Sequence, residues 1–471
     1  MSSAEPTNEA QDLNSMPEDV LRAILARARF DDQAALKRVC KRFLAVISSR
    51  AFREERRASG CLEHTVLVMQ SYANWWDEGH TAWLLRGPPG SREWRSRRGV
   101  RSRLSQGIPS TVVAPQTALF GDTTLFIGGW IYKKEEAVSW GVGDEKPSAD
   151  VYAFDTATRG ASPWRQHSRL RQARGGMPAV GVIGGRLYVA GGMVYHDDTE
   201  ALLAAAPDHR DQALWDTIMA SKYVEAIDSV ECYDPATDTW EQRASMPVGV
   251  GYAAYCVIGG RLYVAGGDRG PGTGNGLTRE VAEKMRARGM GTQGCLQAYD
   301  PSTDTWEVLT GLDTVARPRE SAAAAVVDGG FLVLGGHGGG WGGGRLNSMV
   351  RYNIASDTWD APQRLPHMGG VPNSGNRYWT NSEDPPRTGP AAFIGAAEGP
   401  ARSLHVGDCR IPWGTEASGG SWTTLVTMRT NQYHTPIFAF DGEGAVAPWS
   451  FENNPSEDDP RGLTLAIATL G

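Results

Sequence analysis

The chain has 471 residues, of which 41% are hydrophobic and 21% are charged, with a formal net charge of −7. This composition excludes general disorder, and the negative charge argues against nucleic acid as the main partner. The 57 glycines are about 12% of the chain against a usual value of about 7%, which predicts many turns and few long helices. No apolar stretch approaches the roughly 20 residues that cross a bilayer, and the polar first residues lack the pattern of a secretory signal. We therefore expect no membrane partner and a cytoplasmic and/or nuclear location.

The six cysteines are widely spaced and form no C-x-x-C pair. This spacing favours reduced thiols over a zinc site or a disulfide framework. We expect no metal and no cofactor.

Short helices are predicted near the beginning of the chain. Residues 1–12 are polar and predict a disordered tail, whereas residues 13–60 have apolar side chains at helical spacing. Pro17 suits the first turn of a helix, and Glu18 and Asp19 complement the positive end of the helix dipole. Three helices are predicted, and a module this small buries too little surface to be stable without a partner.

These helices carry a recognisable motif. It consists of Met16-Pro17-Glu18-Asp19, residues 21–25, Val39-Cys40-Lys41-Arg42-Phe43 and Ile47-Ser48. The pattern resembles an F-box, a module that docks on a Skp-type adaptor and thereby on a cullin–RING ubiquitin ligase. The resemblance implies an adaptor contact through Met16, Pro17, Leu21, Ile24, Leu25, Leu36, Val39, Cys40, Phe43 and Ile47.

Core packing is the alternative role for these apolar side chains. About half of them are expected mainly to hold the helices together, since one face of an amphipathic helix packs inward. Met16, Pro17, Leu21 and Leu25 are the positions that we expect at the adaptor contact.

An internal repeat occupies the region after residue 60. Its clearest copies are YDPATDTW (233–240), YDPSTDTW (299–306) and YNIASDTW (352–359), and a looser copy covers 152–164. An apolar run ending in Gly-Gly precedes each copy, and a tight turn joins that run to another apolar segment. One unit therefore predicts four antiparallel strands, which form one blade of a β-propeller.

The repeated Gly-Gly, Tyr and Trp spacing resembles the kelch repeat. Together with the F-box, it makes the whole layout similar to the plant-type F-box/kelch family. The predicted fold is mainly β, with a small three-helix F-box at 13–60 followed by a six-bladed kelch β-propeller at 61–471. Seven blades are the alternative. The C-terminal strands at 434–440 and 463–470 are predicted to complete the N-terminal blade and close the ring.

Most repeat residues are predicted to be structural. The tryptophans of the repeat, Trp164, Trp240, Trp306, Trp359 and Trp422, are expected to be buried between blades. The glycine pairs are expected where a side chain would clash, because they do not form the G-x-G-x-x-G pattern that opens a helix and holds phosphate.

Target binding is expected in loops at one mouth of the ring. Arginines recur just before the first strand of several units, and guanidinium groups suit carboxylates or phosphates on a bound peptide. Solvated charges at strand starts are the alternative. The substrate-binding candidates are Arg174, Arg319, Arg387, Arg429, Trp130, Tyr132, His337, Trp341 and Arg345. Two insertions with helical spacing, at 193–229 and 269–294, are expected to project from one face.

These observations predict a non-catalytic protein. Its F-box would bind the adaptor, and its propeller would bind a target protein for ubiquitination. A kelch interaction scaffold is one alternative. A propeller metalloenzyme is another, with Cys409, Tyr433 and His434 as conceivable ligands, although no H-x-H, H-E-x-x-H or G-x-S-x-G pattern is present.

Overall fold

The structure is a computed structural model, and its description covers most of the helices and strands. The described residues are 16–61, 63–73, 78–86, 95–100, 112–113, 115–121, 123–132, 145–154, 164–195, 224–270, 291–327, 329–338, 346, 348–364, 391–395, 402–407, 421–429, 434–441 and 460–470. The predicted tail at 1–12 lies outside them.

Four helices begin the described part of the chain, one more than predicted. They are α1 (Glu18–Ala26), α2 (Phe30–Leu36), α3 (Lys41–Ile47) and α4 (Arg50–Ala58). Cys40 and Ser49 cap α3 and α4, since their side chains accept hydrogen bonds from the Phe43 and Phe52 amides at 3.4 and 3.2 Å. Helix α4 is the helix that the apolar spacing of residues 13–60 did not predict.

Apolar side chains from α1, α3 and α4 form one small core. It consists of Leu21, Leu25, Ala26, Phe43, Val46, Ile47 and Phe52. Arg56 of α4 is fully buried beside it and donates hydrogen bonds to the carbonyls of Ala26, at 2.8 Å, and Ala28. Arg56 thereby satisfies carbonyl groups at the end of α1 that have no partner within that helix.

Antiparallel sheets form the rest of the described chain. From the innermost strand outwards, the six main sheets are blade 1, with β32 (Pro460–Leu470), β1 (Glu63–Ala73), β2 (Glu78–Arg86) and β3 (Arg95–Val100); blade 2, with β5 (Gln116–Phe120), β6 (Thr123–Ile127), β9 (Val151–Phe154) and β10 (Trp164–Gln166); blade 3, with β11 (Ala179–Ile183), β12 (Arg186–Ala190), β15 (Val230–Asp234) and β16 (Thr239–Arg243); blade 4, with β17 (Ala254–Ile258), β18 (Arg261–Ala265), β19 (Leu296–Asp300) and β20 (Thr305–Leu309); blade 5, with β22 (Ala323–Val327), β23 (Gly330–Leu334), β25 (Ser348–Asn353), β26 (Thr358–Trp359) and β27 (Gln363–Arg364); and blade 6, with β28 (Ala391–Gly395), β29 (Arg402–Gly407), β31 (His434–Asp441) and β30 (Ser421–Arg429).

Short strands pair with one another within the residues of blades 2, 3 and 5. They are β4 (Val112–Val113), β7 (Trp130–Tyr132), β8 (Glu145–Pro147), β13 (Met193–Tyr195), β14 (Val224–Ala226), β21 (Arg319–Glu320) and β24 (His337–Gly338). The pair β13–β14 holds the two ends of the first insertion together. Its central residues, 196–223, lie outside the described residues, as do residues 271–290 of the second insertion.

The innermost strands of the six blades form a closed ring. Strand β5 contacts β11, and the contacts continue through β17, β22, β28 and β32 back to β5. Strand β32 pairs with β1, with Glu63 opposite Leu470. The six-bladed propeller is therefore confirmed, as is its closure by the last predicted strand.

Blade 6 differs from the prediction in its strand order. Strand β31 was expected to complete the N-terminal blade, but it lies between β29 and β30. Its Ile437–Phe440 segment is continuously apolar, which suits a strand with a neighbour on each side, whereas β30 contains Thr423, Thr424 and Thr427 and forms the edge.

The repeat motif fastens blades 3, 4 and 5 each to the blade before it. In blade 5 the Asp357 carboxylate accepts the Tyr352 hydroxyl at 2.6 Å and the Thr310 amide at 3.1 Å, while Trp359 donates its Nε1 to the Thr310 carbonyl at 2.8 Å. These hydrogen bonds lower the pKa of Asp357, that from Tyr352 most. Blade 4 repeats the arrangement with Tyr299, Asp304 and Trp306 around Ala244 of blade 3. We call this arrangement the blade clasp.

The glycine pairs allow close approach of neighbouring blades. A Cβ atom on Gly191 would lie 2.3 Å from the Val250 carbonyl oxygen, and one on Gly266 would lie 2.4 Å from the Arg319 carbonyl oxygen. Both glycines also have positive φ. The prediction that these glycines are structural is confirmed at these positions.

We expect Gly191→Ala to destabilise the protein more than Gly184→Ala. Both glycines have positive φ, of +68° and +57°, so both substitutions carry a backbone cost of about 1–2 kcal/mol. Only at Gly191 must a backbone carbonyl also move, because nothing lies within 4 Å of a Cβ on Gly184. Urea unfolding of the two variants measures the difference, and equal losses would refute the close-approach argument.

Candidate functional site

Exposed apolar side chains on the helices form the first candidate site. Val20, Ile24, Val39 and Leu44 are 42%, 44%, 64% and 45% exposed, although the helices around them are packed. Val20 and Ile24 are neighbours on α1, because residues four apart share a helix face. Leu44 lies on α3, and Val39 lies in the turn before it. We call these four residues the apolar helix surface.

Basic residues flank this surface. Residues 16–60 carry 11 Lys or Arg and 6 Asp or Glu, a net charge of +5, whereas the whole chain carries −7. Lys37, Arg38, Lys41 and Arg42 surround Val39 in sequence, and Arg42 also donates a hydrogen bond to the Met16 carbonyl. A partner that covers Val39 therefore meets positive charge at the edge of the contact.

The structure divides the predicted adaptor residues into two groups. Leu21, Leu25, Phe43 and Ile47 are at most 5% exposed and belong to the helical core. The expectation that Leu21 and Leu25 lead the adaptor contact is corrected, because their side chains are occupied inside the module. Leu36 and Cys40 are partly buried against that core.

The remaining predicted adaptor residues are accessible. Ile24, Val39 and Pro17 are exposed, and Met16 is half-buried. Val20 and Leu44 were not among the candidates, although both are exposed apolar residues of the same helices. A helical wheel would have found them, because each lies outside the arc occupied by the buried residues of its helix.

The predicted arginine ring is not free to bind a target at the two positions whose side chains the structure describes. Arg174 is fully buried and pairs with the Glu231 carboxylate at 2.8 Å. It also donates to the Gly191 carbonyl at 2.7 Å and to the Ser229 carbonyl at 2.8 Å. Burial lowers the pKa of Arg174, and Glu231 opposes this shift. The expectation for Arg174 is corrected, since its guanidinium group holds strands of blade 3 together.

Arg319 has the same role in blade 5. It is 1% exposed and donates to the carbonyls of Gly335 and Ser348 at 3.1 and 3.0 Å. Burial lowers its pKa to about 10, so the side chain remains protonated at neutral pH. In blade 5, the position equivalent to Glu231 is occupied by Val350. Val350 pairs with Val333, just as Glu231 pairs with Val189 in blade 3. Arg319 is likewise corrected from a target-binding to a structural residue.

Trp130 is also structural. Its side chain is 7% exposed, and a Cβ on Gly175 of the next blade would lie 2.3 Å from its ring. The indole therefore lies directly on the Gly175 backbone, and the expected target contact of Trp130 is corrected.

The other target-binding candidates have no described side chains. The structure describes only the backbone of Tyr132, His337 and Arg429, which lie in β7, β24 and β30. Arg387, Trp341 and Arg345 lie outside the described residues, as do Cys409 and Tyr433 of the conceivable metal set. These target-binding assignments stay predictions.

At one mouth of the propeller, the residue that follows each of three glycine pairs is paired with the segment that precedes the first strand of the same blade. Met193 pairs with Gly175, Asp268 with Gly251, and His337 with Glu320. Asp268 is 6% exposed, and its carboxylate accepts the Gly270 amide at 3.0 Å. Both insertions emerge here, because their flanking residues at 193–195 and 268–270 form this mouth.

The described part of the chain holds neither a metal-binding cluster nor a membrane-spanning helix. No group of three or more His, Cys, Asp or Glu side chains is placed to hold a metal ion there. Among the same residues, no helix combines the length and apolar character needed to cross a membrane.

Comparison with protein families matches both parts of the fold. A model of the F-box domain matches residues 13–55, and a model of the KLHDC2/KLHL20/DRC7 Kelch-repeats domain matches residues 116–378, more than half of the chain. The chain belongs to the F-box/kelch-repeat family. The resemblance seen in the sequence to plant-type members is therefore confirmed.

Individual relatives of this F-box/kelch-repeat protein are distant. It is 25% identical over 321 residues to F-box/kelch-repeat protein At1g67480 of Arabidopsis thaliana, covering 62% of this chain and 71% of that protein. It is 23% identical over 316 residues to F-box/kelch-repeat protein At2g44130 of the same plant, covering 62% of this chain and 63% of that protein. Kelch-like protein 35 of Mus musculus is 31% identical over 132 residues, covering 23% of this chain and 22% of that protein.

The chain thus spans less than two thirds of two of these three relatives. A solved structure titled as that of YjhT aligns with a TM-score of 0.42 and 16% identity, covering 64% of this chain and 75% of the other.

Proposed function

We propose that this F-box/kelch-repeat protein is the substrate-recognition subunit of a Skp–cullin–F-box ubiquitin ligase. Its helices would bind the Skp-type adaptor, and its propeller would hold a target protein. The chain would act by proximity, because holding the target near the activated ubiquitin raises the effective concentration of the target's lysines. It would supply no nucleophile or base of its own.

The apolar helix surface is the observation that best supports this proposal. Its four aliphatic side chains remain exposed although a packed core lies beneath them. Packing in this core explains why Leu21, Leu25, Phe43 and Ile47 are apolar. It does not explain why the exposed residues Ile24 and Val39 are apolar. Aliphatic residues in such positions on a small module are typical of a surface that a partner covers.

We expect Ile24→Asp combined with Val39→Asp to weaken adaptor binding by about 30-fold or more, because loss of a central apolar contact costs about 2 kcal/mol. Copurification of the full chain with a Skp-type adaptor, followed by titration of the purified proteins, measures this change. Circular dichroism should show unchanged helix content, because both side chains are exposed in the free protein.

A matched control is available on the propeller. Val308 of β20 is 64% exposed, the same value as Val39, so Val308→Asp introduces the same charge at an equally exposed valine. We expect this variant to bind the adaptor normally. If the double variant also bound normally, or if no adaptor copurified with the natural chain, the ligase proposal would be wrong and a kelch scaffold would be favoured.

A further inference from the structure

The blade clasp between blades 2 and 3 differs from the two clasps that follow it. In blade 4 the Ala244 amide donates to the Asp304 carboxylate at 3.0 Å, and blade 5 has the equivalent amide contact at 3.1 Å. In blade 3 the donor to the equivalent carboxylate, that of Asp238, is the Ser168 hydroxyl. The first clasp therefore depends on a side-chain hydroxyl, which is a group that an enzyme can modify.

Ser168 lies at the centre of this clasp. Its hydroxyl oxygen is also 3.4 Å from the Asp238 carbonyl oxygen, and its own carbonyl accepts the Trp240 Nε1 at 3.0 Å. The Asp238 carboxylate accepts the Tyr233 hydroxyl as well, at 2.8 Å. These hydrogen bonds lower the pKa of Asp238, that from Ser168 most, so this group is ionised at neutral pH. A negative charge added to Ser168 would therefore face a carboxylate.

The segment around Ser168 lies at the outer surface of the propeller. Ser168 is half-buried and follows β10, the outermost strand of blade 2, in a stretch without regular secondary structure. The His167 and Leu170 amides donate to backbone carbonyls of blade 2 at 2.8 and 2.9 Å. A few separate hydrogen bonds, and no continuous strand pairing, hold this segment in place. Such a segment can open locally while the blades stay folded.

The sequence around Ser168 is basic. Residues 164–174 contain four arginines and no Asp or Glu. Arg165, three residues before Ser168, is exposed, and so are Arg169 and Arg171 after it. Protein kinases that select basic substrates bind such guanidinium groups with carboxylates, because a charge-assisted pair provides both affinity and a fixed geometry. The segment therefore carries the charge pattern that such a kinase selects.

We propose that Ser168 is a phosphorylation site for a protein kinase that selects basic substrates, and that its phosphate opens the clasp between blades 2 and 3. The Ser168 oxygen forms a bond to the γ-phosphorus of ATP, and the bond from that phosphorus to the β–γ bridging oxygen breaks. ADP leaves, and the hydroxyl proton passes through the kinase to solvent. This inference concerns the propeller alone and does not depend on adaptor binding.

Phosphorylation removes a donor from the clasp and adds a charge of the wrong sign. At neutral pH a phosphoserine carries about −1.5 to −2 charges, and its phosphate oxygens mainly accept hydrogen bonds. The Asp238 carboxylate thus loses the hydrogen bond from Ser168 and meets a second anion in its place. As the segment moves away, the Trp240 indole loses its acceptor, the Ser168 carbonyl.

Phosphorylation of the full chain in vitro tests the modification site. The reagents are ATP and the catalytic subunit of a kinase that selects arginine three residues before serine, and mass spectrometry measures the initial rate at Ser168. We expect Arg165→Gln to slow this rate about tenfold or more, because one charge-assisted contact is lost. Arg171→Gln removes an exposed arginine at the same distance on the other side, and it should change the rate by less than about twofold.

Thr310 is the internal control in the same reaction. It is the equivalent residue of the blade 5 clasp, but Glu307 lies three residues before it. We expect no phosphate at Thr310. A natural chain without phosphate at Ser168, an unchanged rate in Arg165→Gln, or equal rates at Ser168 and Thr310 would overturn the proposal.

Hydrogen exchange of the tryptophan indoles, measured by NMR on the full chain, tests the opening of the clasp. We expect the Trp240 Nε1 proton to exchange about tenfold or more faster in the phosphorylated chain than in the unmodified chain. Trp359 is the reference, because its Nε1 donates to the Thr310 carbonyl in the same way and its side chain is 7% exposed against 6% for Trp240. Its exchange should not change.

Ser168→Ala separates the added charge from the loss of the hydroxyl. Blade 4 has an alanine, Ala244, at the equivalent position, so a clasp forms without this side chain. We expect the Trp240 indole of Ser168→Ala to exchange within about threefold of the natural rate. If the phosphorylated chain kept the natural rate, or if Ser168→Ala exchanged as fast as the phosphorylated chain, the proposed opening by phosphate would be wrong.

Discussion

Replacing Arg174 with methionine is expected to lower the free energy of unfolding by about 3–5 kcal/mol. The substitution removes the cation that pairs with Glu231 at 2.8 Å, where both side chains are nearly without solvent contact. It also leaves the carbonyls of Gly191 and Ser229 without their donor. Urea unfolding of the purified protein measures the loss.

The Arg50–Glu54 pair provides the matched control. Its atoms approach to 2.7 Å, as closely as those of Arg174 and Glu231, but its side chains are 93% and 52% exposed. Arg50→Met should therefore cost no more than about 1 kcal/mol. If Arg174→Met cost as little as Arg50→Met, the structural role assigned to the buried pair would be wrong.

Glu231→Gln tests the same pair from the other side. The Glu231 carboxylate also accepts the Arg171 and Gln172 amides, at 2.7 and 3.1 Å, and a glutamine oxygen can keep one or both of these contacts. We expect the double variant Arg174→Met with Glu231→Gln to be more stable than Arg174→Met alone, because no buried charge is left unpaired.

Trp240→Ala is the second substitution with a large expected effect, a loss of about 3–5 kcal/mol. The indole is 6% exposed and packs among residues of blades 2 and 3, including Val151 and Leu170. Its Nε1 also donates to the Ser168 carbonyl at 3.0 Å. Thermal and urea unfolding both measure the expected decrease in the free energy of unfolding.

Two further tryptophan variants separate the contributions of the hydrogen bond and of burial to this loss of stability. Trp240→Phe keeps most of the apolar contact but removes the hydrogen bond, so it should cost clearly less than Trp240→Ala. Trp306→Ala should also cost less, because Trp306 is only partly buried, whereas the sequence predicted a buried side chain. Equal losses at Trp240 and Trp306 would contradict this ranking.

The repeat made the propeller predictable from sequence. Each copy of the Tyr-turn-Trp motif must form the same local structure, so the spacing in three copies indicates strand order and blade number at once. The positive φ of Asp238, Asp304 and Asp357 shows why the turn has an aspartate at that point. Blade 6 lacks the repeat, and there the predicted strand order was wrong.

The helical module was predicted less completely for two reasons. Helix α4 has Phe52 as its one large apolar residue, so its apolar spacing gives almost no helical signal. Its stability comes from the Ser49 cap and from buried Arg56, and neither is visible as a pattern. The division between Leu21, which is buried, and Ile24, which is exposed, depends on how the helices pack.

The buried arginines could not be located from sequence. Glu231 lies 57 residues beyond Arg174, and no local pattern links them. Charged side chains at strand starts are usually exposed, which is why the sequence suggested either a ring open to targets or solvated charges, and not burial. The same packing that removes Arg174 and Arg319 from the target surface makes them important for stability.

The pairing of β32 with β1 has a consequence for how the propeller forms. Strand β1 follows the helices directly, yet its inner neighbour is β32, close to the last residue of the chain. While the chain is being made, β1 therefore presents an edge that can pair with other molecules until β32 emerges. Removing residues 460–470 would leave that edge permanently unpaired, so we expect the shortened protein to aggregate although every clasped blade is intact.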